Sequence, residues 1–220
     1  GSLVPYMTQD IVIASQAFVN PLWGLRSISM LTQGISFKEV LSNLKLEDEG
    51  REARQFHGIS NHGEIVQHTG SECVDWAGHV MDEHVSVAGN MLAGPGVVQR
   101  TLQAWSQYAD KPMADRLLCA MEAGEAAGGD KRGKQAAAIK IHKGQPYPIL
   151  DLRVDDHADP LSELKRLIVV ADERFNIFKT ALPTTENFSG MVDRRPLDEA
   201  ILKAEEKRRI NGYTSQSKAT

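Results

Sequence analysis

Residues 9–18, Gln9-Asp10-Ile11-Val12-Ile13-Ala14-Ser15-Gln16-Ala17-Phe18, are apolar and β-branched at their centre and run into Asn20-Pro21. That is the pattern of a buried strand ending in a turn. The elements next to it in the chain decide the fold class. Leu22, Leu25, Ile28, Met30 and Leu31 recur at helical spacing over Trp23–Gln33, closed by Gly34. Ser36 then caps a second helix, with Glu39 three residues on completing a capping box and Val40, Leu41 and Leu44 forming its apolar face. Arg51–Ser60 and Glu64–Thr69 read as hairpin arms across Asn61-His62-Gly63, and His84–Met91 as a further strand. Two more helices are expected over Gly96–Tyr108 and Pro112–Ala123, the second opened by Pro112. Strands at Ala136–Ile141 and Asp151–His157 precede a helix capped by Asp159 with Pro160 at its first position. Strands in blocks, separated by pairs of helices without strict βαβ alternation, predict an α+β fold and not a doubly wound parallel sheet.

The main domain is expected over residues 1–178. Residues 179–220 carry a linker-like stretch at Pro183–Gly190, a charged, weakly amphipathic helix over Pro196–Ile210 and an unstructured end from Gly212. With net charge -4 and both signs interspersed, the chain lacks the clustered basic surface that nucleic acid requires. No apolar run approaches the roughly 20 residues of a membrane span. Small molecules or protein partners are the expected ligands, with no membrane partner. Cys73 and Cys119 make neither a disulfide framework nor a thiolate metal site, so reduced thiols and a cytoplasmic location are expected.

The candidate site centres on Gly128-Gly129-Asp130-Lys131-Arg132-Gly133-Lys134-Gln135, a charge-dense loop feeding the apolar strand Ala136–Ile141. Polar groups so close to a buried strand must stay hydrated or find partners. Arg132 suits a substrate carboxylate and Gln135 an amide; the alternative is a structural ion pair of Arg132 with Asp151 or Asp155. A second polar run, Asp151-Leu152-Arg153-Val154-Asp155-Asp156-His157, places Asp151, Arg153 and Asp155 on one face of a short strand. Asp130, Arg132 and Asp155 are expected to converge. His157, among Asp155, Asp156 and Asp159, could hold a divalent cation or orient its imidazole, against the alternative of plain helix capping by Asp159. The histidines of the strand and hairpin segments, His57, His62, His68, His79 and His84, read mostly as surface residues and no metal site is assigned. The turn Gly89-Asn90-Met91-Leu92-Ala93-Gly94-Pro95-Gly96 can present amides to an anion or oxyanion, or is simply a tight strand-to-helix connection. It lacks the lysine of a phosphate loop, and no cofactor is expected.

Several segments together resemble a bacterial family, domain of unknown function 1028, which is grouped with the nucleophile-aminohydrolase (Ntn hydrolase) superfamily. They are Gln16–Pro21, Thr69–His79, the Gly89–Pro95 turn, Glu122–Asp130 and Leu152–His157, within a match over roughly residues 1–175. The resemblance implies a four-layer αββα sandwich, here without the family's usual first β-hairpin, plus a helical C-terminal tail outside it. It implies amide hydrolysis by an N-terminal nucleophile whose own amino group is the base. Ser2 fills that role only if Gly1 is removed, and the family's Gln-Ser-Ala motif stands here as Gln135-Ala136-Ala137. The expected activity is acyl transfer from a small amide or peptide-like substrate to water. Asn90 and Arg132 would bind substrate and oxyanion, with Asp130, Gln135, Arg153, Asp155 and His157 around the substrate. The alternative is a non-catalytic ligand-binding or scaffolding relative that has lost its nucleophile. A missing hairpin would leave the strand at 9–18 with an unpaired edge, to be covered by an upstream segment, by a homodimer partner or by the Pro196–Ile210 helix; a homodimer is expected.

Overall fold

The first strand forms at Ile11–Ala17 (β2), and the chain before it, Tyr6–Met7 (β1), folds back to pair with Val12 and Ile13. The computed structural model describes residues 4–219. The edge expected to be bare is therefore partly dressed by its own chain, with the Thr8 amide closing onto the Ile11 carbonyl at 2.9 Å. On its other side β2 pairs with Arg54–Ser60 (β3), which pairs with Ile65–Thr69 (β4), giving an antiparallel sheet in the order β1-β2-β3-β4. The β3–β4 turn needs a left-handed residue, and Gly63 supplies it at φ +82°.

Between β2 and β3 run two helices, Pro21–Thr32 (α1) and Phe37–Glu47 (α2). Asn20 caps α1 by accepting the Leu22 amide at 3.0 Å. Ser36 caps α2 through the Glu39 amide at 3.3 Å, while the Phe37 and Lys38 amides are taken by Glu64 from the hairpin, both at 3.2 Å. The two helices cover one face of the sheet, where Ile11, Ile13, Phe56 and Val66 meet Trp23, Phe37, Val40 and Leu44 in a single buried cluster. Each large side chain removed from water there contributes roughly 1.5–3 kcal/mol. Gly58 is what lets Phe37 approach: a Cβ at that position would lie 2.5 Å from the Phe37 Cζ.

The other face of the sheet meets a hairpin, Gly78–Asp82 (β5) and Val85–Gly89 (β6), with β6 against β3 and β5 against β4. On the far side of that hairpin lies Gly96–Gln107 (α3), which packs along Met113–Ala126 (α4). A third antiparallel pair, Ala137–His142 (β7) and Pro148–Val154 (β8), shares a core with α4 and Pro160–Glu173 (α5) through Leu118, Ile139, Val154, Leu164 and Ile168. The fold is thus mixed α+β, with small antiparallel sheets and several helices. Because β8 ends at Val154, Asp155, Asp156 and His157 fall in the following loop instead of on a strand face.

The short helix Phe175–Phe178 (α6) then leads to Arg195–Ile210 (α7), which rests on α6 with Leu197 and Ile201 buried and Leu202 exposed. This helix packs at the α6 end of the molecule and does not cover β2. The chain beyond Gly212 has no regular secondary structure and lies against α5, where Glu173 accepts the Tyr213 hydroxyl at 3.0 Å, the Ser215 hydroxyl at 2.6 Å and the Gln216 amide at 2.8 Å.

Candidate functional site

After α4 the chain passes through Gly128 and Gly129, both at positive φ, and is stapled to the turn beyond β6. Asp130 bridges to Leu92, and the Lys131 amide donates to the Met91 carbonyl at 2.9 Å. The loop then closes one side of a cleft of about 730 Å³, floored by Val87, Val98 and Met121. Lys134 spans its rim to Glu125 at 3.3 Å and Asp159 at 3.2 Å, joining α4, the loop and the start of α5. Asp159 holds Lys134 and, at 2.5 Å, the Ser162 hydroxyl.

Of the residues singled out from sequence, Asp130, Arg132 and Gln135 do line this cleft, whereas Asn90, Arg153, Asp155 and His157 do not. The expected convergence of Arg132 with Asp155 does not occur. Arg132 turns back on Asp130 at 2.5 Å, and Arg153 on Asp155 at 2.6 Å, each pairing with a residue two positions away. The hydrogen bonds from Arg132 hold the Asp130 carboxyl below its usual range, and the guanidinium stays 64% exposed. Gln135 is engaged too: its side-chain amide donates to Asp156 at 3.0 Å, and its backbone carbonyl accepts the His157 backbone amide at 3.0 Å. His157 in turn accepts the Asp159 amide through Nδ1 at 3.0 Å, so the local hydrogen bonding of the loop accounts for it. Asn90 points inward, donating to Gln55 at 3.1 Å, and is not free to meet an oxyanion with that N–H. Ser2 lies outside the described residues. Among the described residues, no group of three or more His, Cys, Asp or Glu side chains gathers in a way that could hold a metal ion. The cleft lining holds no Ser, Cys or His, and its one hydroxyl, Thr101, donates to the Val97 carbonyl at 2.9 Å.

A second constellation sits between the β1–β4 sheet and the β5–β6 hairpin. Strand alternation sends Phe56 and Val66 toward the helices and Gln55, His57, Gln67 and Thr69 toward the hairpin. These polar side chains satisfy one another: His57 Nδ1 lies 2.7 Å from the Ser86 hydroxyl, which also accepts from Gln67 at 2.8 Å. Burial, reinforced by repulsion from His79 when that ring is protonated, pushes His57 down to about 4 and keeps it neutral near pH 7. Gln55 is the centre. Its carbonyl accepts from Gln16 at 2.8 Å and Asn90 at 3.1 Å, which fixes its amide nitrogen as the donor to Thr69 Oγ1 at 2.9 Å and to the Gly89 carbonyl at 2.9 Å.

That orientation has a consequence at Thr69. Thr69 Oγ1, which accepts from Gln55, lies 2.8 Å from His79 Nδ1. Burial, helped by the charge of His68, lowers His79, so the ring is neutral near pH 7, and in its Nε2–H tautomer Nδ1 is the acceptor for the Thr69 proton. Both residues line a pocket of about 450 Å³ walled by Gly70, Cys73, Asp75 and Trp76. Lys131 reaches over from the 128–135 loop and its ammonium donates to the Asp75 carbonyl. Cys73 is a poor nucleophile here, since burial raises its thiol and Sγ donates to the Arg54 carbonyl at 3.3 Å. Of the histidines read mostly as surface residues, His62, His79 and His84 are exposed, His57 lies in the polar layer, and buried His68 stacks on Trp23 with ring centroids 5.8 Å apart; the contact of exposed His79 with Thr69 was not expected. The available signal was the polar alternation Gln55, His57 and Gln67, Thr69 on two strands that each also carry buried apolar residues.

Residues 1–164 match the Family of unknown function (DUF1028), and the chain belongs to that family. A crystal structure of a protein from Silicibacter pomeroyi, described by the same family, is similar to this chain with a TM-score of 0.75 and 28% identity, over 84% of this chain and 80% of that one. No curated protein matches the chain.

Proposed function

With membership of that family as the premise, we propose that the chain is an acyl-transfer hydrolase of small amide or peptide-like substrates, built on a four-layer αββα sandwich of the Ntn-hydrolase kind. In this reading Thr69 is the nucleophile and His79 its base, an internal pair in place of the terminal residue that superfamily ordinarily uses. The observation that carries it is the 2.8 Å approach of Thr69 Oγ1 to His79 Nδ1 beside an open pocket; with Gln55 donating to Oγ1 and the imidazole neutral in its Nε2–H form, the Thr69 proton is aimed at that ring. Thr69 Oγ1 attacks the substrate carbonyl carbon while its proton passes to His79; the C–N bond breaks and the leaving amine takes that proton. Water, deprotonated by the same imidazole, then hydrolyses the ester and restores the threonine. The supporting architecture is two facing β layers with helices on their outer sides, α1 and α2 against β1–β4 and α3 against β5 and β6.

A β-lactone probe tests the reading directly. Intact mass and peptide mapping should find one adduct on Thr69, absent in Thr69→Ala and slowed at least about a hundredfold in His79→Gln, the scale of general-base assistance. An adduct elsewhere, or equal labelling of Thr69→Ala, would remove the nucleophile from this proposal. The 730 Å³ cleft, lined without an activated nucleophile, favours the second reading, a ligand-binding relative. It stands if neither protein is labelled while a small ligand still protects the 128–135 loop from hydrogen exchange.

A further inference from the structure

Arg174 and Arg208 are the two arginines that, among the described residues, make neither an ion pair nor a side-chain hydrogen bond. Both line one cavity of about 830 Å³, within the range of small-molecule sites. It is built from β8, the second half of α5, α6, α7 and the final segment, and shares no lining residue with the cleft or the Thr69 pocket. Its walls are hydrocarbon and aromatic, with Leu150, Leu152, Leu167 and Val170 on one side and Phe175 and Phe178 on the other. The two phenylalanines remain 40% and 41% exposed, so their rings are left open instead of being filled in by the chain.

The acids around the cavity form no ion pair with either arginine. Asp151 is paired with Lys140 at 3.3 Å, and Glu173 accepts from Tyr213, Ser215 and Gln216 while the charge of Arg208 acts on it only from beyond ion-pair distance. Glu205 lines the wall on α7 but lies within 4 Å of neither guanidinium. Two guanidiniums with no direct ion-pair or hydrogen-bond partner beside an apolar wall complement one type of molecule, an anionic head on a hydrocarbon body.

We propose that this cavity binds an amphipathic organic carboxylate, with Arg174 and Arg208 holding the carboxylate and the Leu150, Leu152, Phe175 and Phe178 walls holding the chain. The site is independent of the hydrolase reading and lies mostly beyond residue 164, outside the segment matched by the family. Residues Ser217 and Ala219 close one side of it, so the fold-back of the tail onto Glu173 completes the wall.

Calorimetric titration of the whole chain with decanoate, decanol and decylammonium tests the proposal. Decanoate should bind at one site, with decanol weaker by about tenfold or more and decylammonium weaker still, the scale of one charge-assisted contact. Arg174→Gln with Arg208→Gln should erase that preference while leaving decanol affinity unchanged, and Val170→Trp, which fills the cavity, should abolish binding of all three. The proposal is overturned if decanoate fails to bind, if it binds no better than decanol, or if either variant leaves its affinity unmoved. It is overturned equally if light scattering finds a dimer that dissociates on Phe175→Ser with Phe178→Ser while decanoate has no effect, because the occupant is then a second copy of the chain.

Discussion

The two faces of the β1–β4 sheet differ in kind although they share every strand. Toward α1 and α2 the side chains are apolar and fully packed; toward β5 and β6 they are Gln55, His57, Gln67 and Thr69, each bonded to a polar partner. Phe56 and Gln55 are neighbours in sequence, both 0% exposed, and point opposite ways. An apolar face is enough to hold a sheet to its helices. A polar face of equal burial gains little net stability, since each hydrogen bond replaces one to water, yet a member left unpaired is costly. Such a layer specifies positions more than it adds energy, and it is where a proton can be aimed.

The largest expected effect lies on the apolar face. Phe56→Ala removes a ring that meets Trp23 edge-on at 5.7 Å and leaves a cavity under both helices. The loss should be about 3–5 kcal/mol in a denaturant titration. A loss no larger than that of Gln55→Ala on the polar face would erase the distinction between the two.

Acid titration separates them next. His57 stands at about 4 in the folded chain against an ordinary value of 6.5, so between those values the unfolded chain binds more protons. Stability is full above about pH 6.5 and falls as the pH drops toward 4, by on the order of 2–3 kcal/mol. His57→Gln should remove most of that loss, leaving the smaller share due to His79, without changing the loss below pH 4. There another group acts. Burial would raise Asp48, but donors from Arg54, Asn20, the Gly50 amide and Trp23 outweigh it and hold the carboxyl at about 2, so its contribution disappears only between roughly pH 4 and 2. A melting curve in which His57→Gln tracks the unsubstituted chain through pH 6.5–4 would refute the assignment.

Gln55→Ala comes third. It leaves the Asn90 amide and the Gly78 and Gly89 carbonyls without that partner and should cost about 1–3 kcal/mol. Its sharper readout is chemical, because Thr69 is no longer held as a donor to His79, and probe labelling should slow in a chain that still folds. Labelling at the unsubstituted rate would mean that Gln55 does not orient the hydroxyl.

How far this division was legible in sequence depends on the range of the contacts. β2, α1, α2 and the β3–β4 hairpin are written in local periodicity and turn residues, and they form within a few positions of where the pattern puts them. β5 was not legible: Gly-His-Val-Met-Asp over residues 78–82 has little alternation, because one side of the strand faces the polar layer and Met81 is 58% exposed. β1 is two residues long and exists only through its partner. The Thr69–His79 pair depends on Gln55, whose bonds reach Gln16 and Gly89, separations that no local pattern encodes. The 128–135 loop announced itself by charge density and does wall a cleft. Of its charges, Arg132 takes the near neighbour Asp130, as Arg153 takes Asp155 in the second polar run, whereas Lys134 reaches Glu125 and Asp159 and Lys131 reaches the Asp75 carbonyl, partners that no local pattern names.

The smallest expected effect is therefore at Arg132, the residue most prominent in sequence. Its guanidinium is largely in water and its partner Asp130 is two residues away, so the pair holds the loop's shape and crosslinks no two elements of the fold. Exposed pairs of this sort contribute little against packing. Arg132→Ala should leave the unfolding midpoint unchanged within error, whereas Lys134→Ala, which unties α4 from α5 by removing contacts to Glu125 and Asp159, should lower it measurably. If the cleft binds an anionic ligand, the order inverts for binding: Arg132→Ala loses affinity at constant stability. A midpoint that falls as far for Arg132→Ala as for Lys134→Ala would make Arg132 a structural residue and exclude the cleft's one solvent-facing guanidinium as a ligand contact.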